Sequence, residues 1–258
     1  PARHRGDLSR FARERPPLIA TGNRRSYGDA CLFSNVVSTL ELNHILGFDA
    51  DTGILRAEAG VTFDDVIRFA LPLGWFPPVT PGTKFPTLGG CVAADVHGKN
   101  HHVNGSLGDH VDEIELILAD GSEICCSPNH HPDLFRATLG GMGLTGFIYA
   151  VTLRLRKVPS AYIAVRREKA GNLGEALAML SETQEAYTYS VAWIDCLARG
   201  RARGRSILML GNHAEAEQLS TSASIWRPHS RRCLDFPVTV PEFVLNPLSM
   251  RLFNSAYY

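Results

Sequence analysis

The chain has 258 residues, 45% apolar and 20% charged, with 26 lysines and arginines against 26 aspartates and glutamates. That length and composition describe a folded globular protein of one large or two smaller domains and exclude a disordered one. The formal net charge of zero argues against a nucleic-acid or polyanion binder.

No apolar run approaches the roughly 20 residues that span a bilayer, and no signal peptide opens the given sequence. Cys31, Cys91, Cys125, Cys126, Cys196 and Cys233 form no C-x-x-C pair and no regular framework. Reduced thiols in a cytoplasmic protein are therefore expected.

Asp7 to Arg13 reads as the end of a helix, and Pro17 to Thr21 as a short strand entering the polar turn Gly22–Asp29. Val36–Leu42 and Ile54–Ala59 read as strands. Thr62 with Asp65 three residues on predicts a capped helix to about Leu73, burying Val66, Ile67, Phe69 and Ala70. Next comes the stretch Pro81–His102, with Gly82, Gly89, Gly90 and Gly98 among Leu88, Val92, Ala93, Ala94 and Val96, which read as buried. Glycines there let backbone N–H groups approach a phosphate, because no side chain intervenes. His97, Lys99, His101 and His102 follow at once and place titratable groups at the edge of whatever is bound.

Asp120-Gly121 between Asp112–Ala119 and Ser122–Cys126 predicts a hairpin. A short helix follows over His131–Leu139, then a third glycine loop at Gly140–Gly146, and then a strand, Phe147–Arg156, with alternating apolar residues. Pro159 reads as a hinge, dividing the chain into 1–158 and 159–258. The second part reads β-α-β-β: Tyr162–Arg166, Leu173–Glu185, Tyr187–Asp195 and Ser206–Leu210. The basic run Arg199–Arg205 is spaced by glycine and alanine and reads as a solvated loop. No periodicity is evident from Ser220 onward, and no capping pattern is expected near Tyr258. Helices are too few, and G-x-G-x-x-G is missing after the first strand, so a Rossmann fold is excluded.

Three glycine loops between strands could line one groove for a long, phosphate-bearing ligand. The clustered His97, His101, His102 and His110 show no ligand spacing with Asp95 or Asp109, so no metal is expected. Gly105-Ser-Leu-Gly108 is not a nucleophile elbow.

The pairing of Gly22-Asn-Arg-Arg-Ser-Tyr-Gly-Asp29 with Pro81-Gly-Thr-x-x-x-Thr-Leu-Gly-Gly90 and Ala94-Asp-Val-His-Gly98 resembles the FAD-binding domain of the vanillyl-alcohol oxidase/p-cresol methylhydroxylase superfamily. Asp95–His102, Gly105–His110 and Gly140–Gly146 are similar to the decaprenylphosphoryl-β-D-ribose oxidases within it. The resemblance implies an α+β fold, a two-subdomain FAD-binding domain followed by part of an antiparallel-sheet substrate domain. Gly22, Asn23, Arg24, Arg25, Ser26, Tyr27, Gly28 and Asp29 would wrap the pyrophosphate. Gly82, Thr87, Leu88, Gly89 and Gly90 would form the second phosphate and ribityl loop. Ala94, Asp95, Val96 and His97 would run beside the flavin, and Ile148 would meet the adenosine end. Tyr27, His97 and Lys99 would stand at the reacting face as the catalytic candidates.

Many members carry a histidine in the first loop that bonds covalently to the flavin. Arg25 stands there, which implies non-covalent FAD. Arg24 replaces a usual glycine, which predicts a different loop path. The family's catalytic lysine and active-site cysteine have no counterpart here, so the base is expected outside this chain.

The implied reaction is hydride transfer from a sugar secondary alcohol, at C2 of a polyprenyl-phospho-ribose, giving a 2-keto sugar. An NAD-dependent reductase partner would complete an epimerisation that serves cell-wall polysaccharide synthesis. The lipid substrate would bring peripheral membrane association. The alternatives are a sugar-alcohol or aldonolactone oxidase of the same superfamily and a flavin-binding fragment without turnover.

Overall fold

The computed structural model describes residues 1–14, 17–219, 225–226 and 241–258. They form two compact units, Pro1–Val158 and Pro159–Tyr258. Cys233 lies outside the described residues, as does much of the stretch after Ser220.

The first unit runs α1 (Arg5–Glu14), β1 (Ile19–Thr21), β2 (Val36–Ser38), β3 (Ile45–Asp49), β4 (Ile54–Glu58), α2 (Phe63–Ala70), β5 (Trp75–Phe76), α3 (Leu88–Ala93), α4 (His101–Asn104), β6 (Val111–Ile117), β7 (Glu123–Cys126), α5 (Pro132–Thr138), β8 (Phe147–Arg154) and β9 (Arg156–Lys157). Its main sheet is antiparallel, in the order β3-β4-β8-β6-β7. One face carries Leu55, Ala57, Ile114, Leu116, Val151 and Leu153, which share a core with residues of α2 and α3. The other face meets α1 through Leu8, Ala12, Ile117 and Phe147. That face is partly ionic: Glu115 takes Arg56 Nε at 2.8 Å and Arg5 Nη2 at 3.1 Å. The parallel pair β1–β2 stands apart from this sheet.

Local chemistry explains several elements. Thr62 Oγ1 accepts from Asp65 N, and Asp65 Oδ2 accepts from Thr62 N, a reciprocal cap worth about 1 kcal/mol. The helix ends sooner than its spacing predicts. Pro72 has no N–H to continue it, so Leu71–Leu73 is a 3-10 turn closed by Gly74 at φ +83°. Its buried positions are Phe63, Val66 and Ala70, whereas Phe69 lies outside, edge-on to Phe48. The Asp120-Gly121 turn joins β6 and β7, with Gly121 at φ +77°.

Two further expectations need correction here. The segment from Leu88 is a helix, not a loop. Thr87 caps it, and Leu88, Cys91 and Val92 supply a buried stripe at helical spacing that outweighs two glycines. Ala94, expected to be buried, is exposed.

The second unit runs β10 (Ile163–Ala170), α6 (Leu173–Thr183), β11 (Tyr189–Ile194), β12 (Ser206–His213) and α7 (Pro247–Tyr257). Its sheet is antiparallel, in the order β10-β12-β11. Ala170, Ala176 and Leu208 form its small core with α6. The end of the chain does carry a capping pattern. Asn246 caps α7 by accepting from Leu248 N and Ser249 N at 2.9 and 3.1 Å, and Pro247 occupies the first helical position. Trp193 is half-buried against Tyr257, ring centroids 4.9 Å apart. Among the described residues no helix is long and apolar enough to cross a membrane.

Candidate functional site

A cavity of about 600 Å³ opens in the first unit. Its walls come from the turn after β1, from the run Pro81–Val96 and from the loop Met142–Ile148. Gly22 through Tyr27 all line it, as do Gly82, Thr87, Gly89, Gly90, Ala94, Val96 and Ile148. Two side-chain contacts hold the first two walls together. Asn23 Nδ2 donates to Phe85 O at 3.0 Å, and the Arg25 guanidinium stands 5.3 Å from the Phe85 ring centroid.

The glycines do different work. A Cβ on Gly22 would lie 2.2 Å from Thr87 Oγ1, and one on Gly89 would lie 2.6 Å from Ala59 Cβ. Those two glycines are required by packing between protein segments. A Cβ on Gly82 would meet nothing within 4 Å, so this glycine faces open space. Arg24 adopts φ +50°, the left-handed region that glycine enters freely and that costs an arginine about 1 kcal/mol.

Backbone amides divide in the same way. Leu88 N, Gly89 N and Gly90 N donate to Val61 O, Ala59 O and Thr87 Oγ1, so none of the three points freely at a ligand. Among the described residues, the N–H groups of Gly22–Ser26 and of Gly82–Lys84 have no protein acceptor. The open donors therefore lie one helical cap earlier than the Gly89-Gly90 pair suggests.

Other expected residues stand elsewhere. Gly28 and Asp29 are exposed and do not line the cavity. Leu88 is fully buried in the core. Asp95, at φ +40°, turns its carboxylate away: Oδ1 accepts from Gly108 N at 2.8 Å and Oδ2 from Ser106 Oγ at 2.9 Å. It acts as a clasp for the following loop. Val96 is the last residue of this run on the wall. His97 and Lys99 are exposed beyond it, His97 paired with Ser106 across a β-bridge, its ring 5.4 Å from that of His101. Tyr27 is at the rim, 99% exposed.

The structure adds residues that sequence reasoning passed over. Thr21 is on the wall, and its buried hydroxyl has no partner among the described residues. An orphaned hydroxyl of this kind fits a polar ligand. Cys91 lies on the wall, and burial pushes its thiol up to about 12. Thr21 and Thr39, at the ends of their strands, carried no motif, so nothing local could have marked them. Met142 and Gly143, by contrast, fall in the third glycine loop.

Among the described residues no carboxylate lines the cavity, whereas Arg24 and Arg25 do. Free backbone donors, two guanidinium groups, small side chains and one orphaned hydroxyl make a site for a long anionic ligand with hydroxyl groups. Among the described residues no three metal-ligating side chains converge.

An antiparallel sheet backed by helices, with such a cavity beside it, fits the class of nucleotide-cofactor-binding proteins. Residues 6–127 match the family described as FAD binding domain, and this part of the chain is an FAD-binding domain of the p-cresol methylhydroxylase type. It is 40% identical over 206 residues to a decaprenylphosphoryl-β-D-ribose oxidase of Mycolicibacterium smegmatis, covering 78% of this chain and 45% of that protein. It is 40% identical over 159 residues to an uncharacterized protein of Streptomyces coelicolor, covering 62% and 43%. To a putative D-arabinono-1,4-lactone oxidase of Neurospora crassa it is 31% identical over 152 residues, covering 57% and 26%. The chain spans less than half the length of each of these relatives.

Proposed function

We propose that this chain holds FAD without a covalent bond and takes part in oxidising a sugar secondary alcohol, at C2 of a polyprenyl-phospho-ribose, to the 2-keto sugar. The observation that carries the cofactor half is the wall itself: open amides and arginines, with no carboxylate among the lining residues. Similarity to the ribose oxidase supports the substrate half.

FAD, when bound, supplies the hydride acceptor. The amides of Gly22–Ser26 and Gly82–Lys84 would bind its pyrophosphate, and Arg24 and Arg25 would neutralise the charge. Thr21 would meet a ribityl hydroxyl. Ala93, Ala94 and Val96 would exclude water from the flavin side. His97, Lys99 and Tyr27, standing outside the wall or at its rim, would orient the sugar or polarise the flavin edge. Among the described residues the wall carries no aspartate, glutamate, histidine or lysine to take the hydroxyl proton. Arg25 occupies the position at which a histidine would form a covalent link, and it offers no nucleophile at neutral pH. An NAD-dependent reductase would act on the keto product, and the lipid tail would hold the protein at the cytoplasmic membrane surface.

The test uses the full-length protein. Its absorbance is recorded before and after acid precipitation, then during anaerobic mixing with a prenyl-phospho-ribose or an aldonolactone. Flavin in the supernatant and bleaching by the ribose lipid are expected. A yellow pellet would overturn non-covalent binding. Bleaching by the lactone alone would favour the second reading, that of a lactone oxidase, which similarity to the Neurospora protein supports.

A further inference from the structure

The basic run of the second unit is not absorbed by the flavin site. Within that unit, Arg199 and Arg203 line a cavity of about 340 Å³ together with Arg251, contributed by α7 from about fifty positions away. Cys196, Leu197, Ala198 and Gly200 complete its lining, and among the described residues no carboxylate does.

Arg199, Arg203 and Arg251 are all exposed, as expected of a solvated loop, and three observations mark them out within it. First, the acidic side chain that precedes the loop in sequence is already committed. Asp195 is buried and receives Arg205 Nε at 2.9 Å, Asn254 Nδ2 at 2.6 Å and Leu197 N at 3.0 Å. Burial alone would raise its pKa, yet these donors together hold it below the usual carboxylate range, so it stays ionised and fully occupied. Second, the guanidinium groups of Arg199, Arg203 and Arg251 have no hydrogen bond or ion pair among the described residues. Third, the Asn254–Asp195 bond lies one turn from Arg251 on α7 and ties that helix to the strand end that carries the loop. A buried link thus joins the two segments that carry the arginines. Gly200 adopts φ +61°, and a Cβ added to it would meet nothing within 4 Å, which leaves the mouth open.

Like charges gathered on one concave surface repel each other unless an anion is present, and guanidinium forks suit phosphate oxygens. We propose that the cavity lined by Arg199, Arg203 and Arg251 is a phosphoanion-binding site. Its ligand is a phosphate-bearing group, free or on a lipid head. This inference does not rest on the flavin reading.

The test uses the full-length, FAD-loaded protein, in which the cofactor keeps the probe out of the first unit. Sodium pyrophosphate is titrated calorimetrically at low ionic strength. Sedimentation with phosphatidylglycerol vesicles, against phosphatidylcholine vesicles, forms the second arm. Saturable binding is expected, weakened about tenfold by Arg199→Gln or Arg203→Gln and roughly a hundredfold by Arg203→Gln with Arg251→Gln. Arg201→Gln removes the same charge from outside the cavity and leaves binding unchanged. Pyrophosphate binding without vesicle binding assigns a free phosphoanion, and arginine-dependent vesicle binding assigns a lipid head. Binding in neither arm, binding indifferent to the exposed Arg199, or an equal loss in Arg201→Gln would overturn the site.

Discussion

The turn at Gly22–Asp29 and the run Gly82–Gly90 look alike as strings, both rich in glycine and both beside a strand. In the fold they part. The first keeps its amides open over Gly22–Ser26, and the second does so only over Gly82–Lys84. From Leu88 the second run becomes a helix whose first donors are occupied by Val61, Ala59 and Thr87. A glycine therefore marks close approach, but what approaches can be protein. Gly89 is small because Ala59 is there, and Gly82 because nothing of the protein is.

Substitutions can break this distinction. Gly89→Ala forces a Cβ against Ala59 and should cost about 3 kcal/mol, read by urea unfolding. If it kept full stability and lost only FAD affinity, the run would be a binding loop after all. Asp95→Ala strips acceptors from Gly108 N and Ser106 Oγ and should cost about 2 kcal/mol. Asp95→Asn tolerates the same backbone and keeps an acceptor, so most of that loss should return. Gly82→Ala should change stability by less than about 0.5 kcal/mol. It should nonetheless weaken FAD about tenfold in reconstitution titrations, because its Cβ enters the cavity. Arg24→Gly should have the smallest effect on the stability of the cofactor-free protein. Relief at φ +50° is offset by the entropy of glycine, leaving a net change under about 0.5 kcal/mol in thermal unfolding.

What was legible in the sequence was local. The Thr62–Asp65 cap, the Asp120-Gly121 hairpin and the helix at Leu173 are each set by neighbours within a few residues. The strand β3 was missed because Gly47 and a bulge after Ile45 interrupt its alternation. Helix α3 was missed because glycine propensity argues against it, although Leu88, Cys91 and Val92 carried the spacing. Asn246-Pro247 was a readable helix start that periodicity alone obscured. In the site, the glycine runs located the cavity, while the turning of Asp95 and the exposure of His97 depend on contacts with Ser106 and Gly108. The parallel pairing of β1 with β2, which brings Thr21 and Thr39 to one wall, is a non-local event with no signature in either strand.

Cys91 gives the cavity a property of a different kind. Burial pushes this thiol up to about 12, which favours the protonated form at physiological pH and makes it a poor nucleophile. On the cavity wall this sulfur therefore behaves as a small hydrocarbon. Oxidants arriving from solvent would meet the exposed Cys196 instead.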